Sequence, residues 1–475
     1  MGQVRTPVPP PLDTSVIRAL AREIRGELAA RRRGPLPPGS LAPSWRHTRD
    51  TVADPLPMLL DHERRYGPVF TIRTFHLPIV WAIGAEANHQ ILVSDFDAFE
   101  WRGGRFSDLW PLLGDGMLNI DGSYHREMRR LLLPAFHRES VLGVADTMIE
   151  EAEAAAARLG RAEFDLYPWT RELALRIAMR ALLGMTSGSG REHALASAFE
   201  RALDFHARPV SQQIVRGPGS PYARTQRARR ELDALVHAEI AERRRAGDHG
   251  RGVLGMLLGA TDGEGGPLPD AAVRDQAVTL LFAGHDTTTA TLTFLLYELA
   301  GAPAAREALE AELDALVPDG RPSPEQLDGT RLPVLERTLM ETLRRYPPAW
   351  VGPRRARRDV TIAGVGIPEG AFVHYSSWVT HHLSALHEDP FRFEPDRFLP
   401  DRAAALPKGA YVPFGGGSRM CLGKRFGEVE LRALTAVLCR RFRVEPVPGG
   451  PPMQVATSPT LGPRGGLRVT VRPRH

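Results

Sequence analysis

Cys421 stands in the stretch FGGGSRMCLG, between three glycines and the start of a helical pattern, and it is one of only two cysteines in 475 residues. Glycine admits positive φ and lets the main chain pass close to something bulky. First-turn amides of the helix that follows, that of Gly423 included, would point at the sulfur, and donors at a positive helix end favour thiolate over thiol. A thiolate so held is a nucleophile or a metal ligand. Zinc needs about four ligands, yet the sequence has neither a second cysteine nearby nor an H-E-x-x-H helix. One sulfur suits a metal whose other positions a cofactor fills. Haem iron is the leading candidate, because four positions belong to the porphyrin and an axial thiolate promotes O–O cleavage. Cys439, inside LRALTAVLC, reads as a core residue.

A second constellation is AGHDTTT, residues 283–289, in the middle of a long apolar pattern running from Asp270, the expected N-cap, to a stop at Gly301 and Pro303. Its flanks VTLLF and LTFLLYELA are apolar nearly all round, so the middle of this helix should be buried. A glycine, an acid and three threonines there cost helix stability. The Thr287 hydroxyl can bond back to the Ala283 carbonyl and Gly284 leaves room, which predicts a local groove able to hold dioxygen and water. Asp286 beside Thr287 could relay protons inward. His285 receives no role.

FGGGSRMCLG resembles the haem-binding signature of the cytochrome P-450 family, F-x-x-G-x-R-x-C-x-G, at all five fixed positions, and AGHDTTT resembles its oxygen-activation motif. The resemblance runs over about residues 60–475. It implies Cys421 as the iron ligand, haem b as the cofactor, and Asp286 and Thr287 as the catalytic acid and alcohol. It implies that His125 and Arg129, one helical turn apart in DGSYHREMRR, hold the haem propionates together with Arg354 and Arg419, with Arg355 as the alternative to Arg354. Phe414, Gly423 and Ala283 would lie against the haem. Glu341, Arg344 and Arg397 would form a buried triad with a structural role.

The elements that must position these residues read as a mainly α protein with a smaller β-rich portion, the cytochrome P-450 fold by resemblance. Residues 1–45 read as a proline-rich and basic helical lead-in and 46–475 as a single domain. GPVFTIRTFHLPIVWAIG (67–84) reads as a hairpin. Helical patterns fill 139–160, 169–185, 222–247, 270–300 and 303–317. Strands return among turns over 360–398, and GLRVTVRPRH alternates like an edge strand.

Net charge is +5, but lysine occurs only at Lys408 and Lys424 and arginine is spread through every segment, the pattern of an ion-paired surface and not of a nucleic-acid patch. Two cysteines fit a reducing, cytoplasmic setting. No run of about 18 apolar residues could span a bilayer, so no transmembrane anchor is expected. MGQVRT matches an N-myristoylation pattern at Gly2 and Thr6, and Ile17, Leu20, Ile24 and Leu28 make an apolar stripe on a basic helix; both read as incidental.

Family resemblance implies a monomeric monooxygenase that inserts one oxygen atom of dioxygen into a lipophilic substrate. Electrons would come from NAD(P)H through a reductase and a ferredoxin or flavodoxin docking near Arg126, Arg130 and Lys424. The rivals are a peroxide-using or isomerising haem-thiolate protein and a non-catalytic haem sensor. By position, the loop 101–118, Phe205, Leu281, Ala283, Trp350, Val351 and Leu461 should line an apolar substrate pocket, with Trp350 narrowing it.

Overall fold

The computed structural model describes residues 34–475 except 105–109, 161, 186–189, 209–211, 213–214, 216, 248–249, 251, 262–264, 330, 450–451, 459 and 475, with a few single residues between 24 and 32. The myristoylation pattern and most of the basic stripe lie outside the described residues. Of the stripe, Ile24 and Leu28 are described, both helical and exposed.

From residue 34 onward the described elements begin with strand β1 (Gly39–Ser40) and helices α1 (Trp45–Ala53) and α2 (Pro55–Tyr66), then the hairpin β2 (Val69–Thr74) and β3 (Leu77–Ala82). The hairpin forms where expected, and every residue of both strands is buried. Short β4 (Phe99–Glu100) precedes helices α3 (Gly122–Leu132), α4 (Ala145–Ala157), α5 (Leu166–Ile177), α6 (Gly190–Ala207) and α7 (Pro221–Ala246). After them come α8 (Asp270–Gly301), α9 (Pro333–Arg345), β5 (Gly352–Ala356), β6 (Phe372–Tyr375) and α10 (Lys424–Arg441). The main sheet has the order β1-β2-β3-β6-β5-β4, with β3 and β6 parallel and β6 and β5 antiparallel.

Strand β7 (Arg468–Pro473) departs from the edge position its alternation suggested. It is the middle strand of three, between Phe442–Pro446 and Phe164–Asp165. The second partner contributes two residues, too few to leave a periodic trace.

Helix α8 spans about 48 Å at 1.5 Å per residue. Pro269 occupies its N-cap; the expected cap, Asp270, lies one residue inside and binds Arg244 at 2.9 Å. The buried threonines meet no orphan cost, because each hydroxyl finds an acceptor. Thr287, Thr289, Thr291 and Thr293 donate to the carbonyls four residues back at 2.7–2.9 Å, and Thr288 donates to Glu430 on α10 at 2.9 Å. Main-chain hydrogen bonding stays helical throughout, so the expected groove is not a break in the helix. It is a notch at Gly284, where a Cβ would come within 2.8 Å of Leu182.

Behind the site, Glu341 and Arg344 are fully buried and pair through two contacts of 2.7 and 2.9 Å, with Arg397 3.5 Å from the same carboxylate. A buried pair of this kind is stabilising only when its hydrogen bonds are filled. Arg344 fills more of its own on the His381 carbonyl at 2.8 Å.

Candidate functional site

Between α8 and the loop before α10 lies a cavity of about 460 Å³, within the usual range for small-molecule sites. Cys421 is on its wall, with Phe414 and Gly423 beside it and Ala283 and Thr287 across from it. The cysteine loop is held by the Cys421 amide bonding the Phe414 carbonyl at 2.9 Å. Gly417 there has φ +59°, and a Cβ would sit 2.1 Å from the Leu92 carbonyl oxygen. The close approach the glycines permit is therefore to the protein's own main chain. Cys421 is accessible because it faces the cavity. The packing behind it pushes the thiol pKa up, against the pull of the Gly423 amide and of Arg129 and Lys424. Helix α10 starts only at Lys424, so burial outweighs the helix end in the free protein.

Four basic side chains line one side of the same cavity: His125, Arg129, Arg354 and Arg419. Arg354, not Arg355, faces it; Arg355 bonds the Gly370 carbonyl at 3.3 Å. Arg354 lies 3.6 Å above the Trp101 ring and donates to the Pro353 carbonyl at 2.8 Å. Arg419 reaches Asp121, whose carboxylate also takes the Trp101 and Arg102 amides. Among the described residues no carboxylate lies within ion-pair reach of Arg129 or Arg354, and burial depresses the pKa of both. His125 is driven down to about 3, first by burial and then by Arg419, Arg129 and Arg126. The charges of buried Arg354 and half-buried Arg129 are costly unless a ligand brings the anions. A cavity with one thiol at its wall and cations at one edge fits a planar, dianionic metal complex. Among the described residues no three His, Cys, Asp or Glu side chains gather as a protein-only metal site.

On the adjoining face of α8, Asp286 is buried and its carboxylate accepts the Thr460 hydroxyl. Thr287 faces the cavity, while Asp286 is set back and reaches it through Thr460, a wall residue. His285, fully buried, lies 3.3 Å from Glu200 of α6, which Arg171 of α5 also holds at 3.0 Å. Desolvation would raise the Glu200 pKa, but the hydrogen bond from His285 and the charge of Arg171 bring it below the usual carboxylate range.

Trp350 and Val351 line the cavity as expected, and from the loop 101–118 Trp101, Met117 and Leu118 do so. That loop is tied to α8 by the Met117 amide on Gln276 at 3.0 Å and by Gln276 on the Asp115 carbonyl at 3.1 Å. Three expected wall residues are absent from the wall, each replaced by a neighbour. Leu281 packs outward toward Leu183 and Val236, and Leu280 lines instead. Phe205 packs on Tyr222 at 6.0 Å, and His206 lines instead. Leu461 is buried with Trp81 and Trp350, and Thr460 lines instead. One residue of phase on a helix is about 100°, enough to exchange a wall residue for a core one. Thr460, Ser458, His206 and Glu430 are wall residues that the sequence did not single out.

A long buried helix crossing a cavity that offers one thiol and a row of arginines defines a haem-dependent α-rich enzyme class. The chain belongs to the cytochrome P-450 family, whose family model matches residues 50–467, and it is a P-450 monooxygenase. It is similar to pentalenene oxygenase of Streptomyces avermitilis, 32% identical over 82% of this chain and 86% of that protein. It is also similar to cyclooctat-9-en-7-ol 5-monooxygenase of Streptomyces melanosporofaciens, 32% identical over 87% of this chain and 90% of that one. A solved cyanobacterial P-450 with bound retinoic acid covers 92% of this chain at 28% identity and a TM-score of 0.82. Among the described residues no helix is long and apolar enough to cross a membrane.

Proposed function

We propose that this enzyme, carrying haem b on Cys421, oxygenates a lipophilic isoprenoid with electrons delivered by a separate ferredoxin or flavodoxin and its reductase. The observation that carries the reading is one cavity shared by Cys421, the cations Arg129, Arg354 and Arg419, and Thr287. Bound haem supplies the redox-active iron at which dioxygen is activated. His125, Arg129, Arg354 and Arg419 hold its two carboxylates, which restores the charge balance the cavity lacks. Phe414, Gly423 and Ala283 pack against it.

Thr287, whose hydroxyl is bonded to the Ala283 carbonyl, orders water at the α8 notch, and Asp286 supplies protons to it. That acid–alcohol pair supports dioxygen over peroxide as oxidant. The wall around Leu280, Phe282, Trp350 and Val351 is apolar, and the compounds in the relatives' names, retinoic acid, pentalenene and cyclooctat-9-en-7-ol, are isoprenoids. The enzyme works as a monomer in the cytoplasm, its domain being 46–475 and its lead-in 1–45; both cysteines are free.

Arg126 and Arg130 are exposed near the cysteine loop, and Lys424 is 45% exposed. They form the docking face for an acidic redox partner. The test is the absorption spectrum of the reduced protein with carbon monoxide, then NAD(P)H-driven turnover with and without the partner. A thiolate-type spectrum and strict dependence on the partner are expected. Turnover without electrons would overturn the oxygenase reading, and charge reversal at Arg126, Arg130 and Lys424 without effect on electron-transfer rates would remove the docking face.

A further inference from the structure

The two wall substitutions at the far corner of the cavity, His206 for Phe205 and Thr460 for Leu461, make it more polar than the sequence suggested. Ser458, at the cavity mouth, donates its hydroxyl hydrogen to the His206 carbonyl at 3.0 Å. A carbonyl only accepts, so that hydrogen is committed. Thr460 gives its own hydrogen to the Asp286 carboxylate, another acceptor. A hydroxyl has one hydrogen and two lone pairs, so both oxygens are left facing the cavity as acceptors without a hydrogen to offer.

We infer that Ser458 and Thr460 form a receptor for a hydroxyl group, and that the substrate is a lipophilic alcohol, not a bare hydrocarbon or a carboxylic acid. This deepens the isoprenoid reading above and rests on it. An alcohol O–H supplies the hydrogen the corner lacks. A hydrocarbon would strip water from two acceptors and return nothing, which costs binding. A carboxylate would set acceptor against acceptor. Among the described residues, the arginines on the cavity wall are Arg129, Arg354 and Arg419, which belong to the cofactor's edge.

His206 adds no charge that would draw an acid, because burial lowers its pKa to about 4. The reaction supplying such a substrate must already have installed the hydroxyl, either by water capture at the end of a cyclisation or by an earlier oxygenation.

The test uses the haem-loaded full-length protein titrated with farnesol, its methyl ether, farnesene and farnesoic acid, read by the spin-state change of the Soret band and by thermal shift. Farnesol should bind about tenfold or more tightly than the other three, the worth of one or two neutral hydrogen bonds. Ser458→Ala combined with Thr460→Val should bring farnesol to within about threefold of its ether while farnesene binding stays unchanged, and Thr460→Ser should retain the preference. Binding without preference, preference for the acid, or a preference that survives the double variant would overturn this inference alone. No binding by any of the four would overturn it together with the isoprenoid reading.

Discussion

At the cationic edge of the cavity Arg129, half-buried, and Arg354, buried, have no carboxylate in ion-pair reach among the described residues, whereas along α8 Asp286 and Glu200 are answered from within the protein. Asp286 accepts the Thr460 hydroxyl, and Glu200 is shared between His285 and Arg171. The first region is incomplete until a dianion arrives; the second is complete already. The difference teaches where binding energy and where catalysis are placed. On the function proposed above, the unbalanced cations would draw and orient a charged cofactor, while the satisfied side would keep a fixed proton source and a neutral seat for substrate.

Replacing Cys421 by Ser should have the largest effect, taking oxygenation to background and abolishing the thiolate-type carbon monoxide spectrum. A Ser variant with the original spectrum would remove the basis of the cofactor side. Next, Arg354→Leu should weaken haem retention about 10- to 100-fold, the worth of a charge-assisted hydrogen bond. The haem-free protein should melt no lower than wild type, because an unanswered buried cation has been removed. Parallel melting curves of the two forms check this, and a loss of stability in both would mean that Arg354 is not waiting for an anion.

On the complete side, Asp286→Asn and Thr287→Val should each lower product formation about 10- to 100-fold, with reducing equivalents diverted to peroxide. Product per NAD(P)H consumed is the measure, and unchanged coupling would leave the pair without its assigned role.

Glu430 sharpens the comparison because it joins the two sides, accepting from Thr288 of α8 while its other oxygen is unpaired. Burial raises its pKa to about 8 from 4.5, only partly countered by Thr288. The folded form thus holds its proton where the unfolded chain has released it. Stability from this group is full below pH 4.5 and falls as pH rises to about 8, by at most about 1.4 kcal/mol per pH unit. Denaturation of wild type and Glu430→Gln at pH 5 and 8 should show that the variant lacks this slope. The smallest expected effect is that of Trp350→Ala, which opens the wall beside Trp81 and should widen substrate range with little change in stability of the haem site. Identical ligand profiles would show that Trp350 does not narrow the cavity.

Most of the incomplete side, and the Asp286–Thr287 pair of the complete one, were legible. Cys421 with its glycines, and Asp286 with Thr287, are fixed patterns within a few residues, and the His125 and Arg129 pair needs only one helical turn. The corner formed by His206 and Ser458 joins residues 252 positions apart, and nothing local marks it. Reading α8 one residue out of phase was enough to select Leu281 over Leu280. The stacking of Arg354 on Trp101 likewise depends on β5 passing the segment after β4, which no periodicity encodes. Strand β7 was legible as a strand but not as a central one, because its second neighbour is a two-residue fragment.

Lys424 extends over the Phe414 ring at 5.7 Å, and Lys408 is the only other lysine in the sequence. Amine-directed chemistry, which scatters over most proteins, would here reach only two ε-amino groups besides the α-amine of the chain. A fluorophore on Lys424 would report on the approach of the proposed electron donor, with Lys408→Arg and Lys424→Arg as the paired controls.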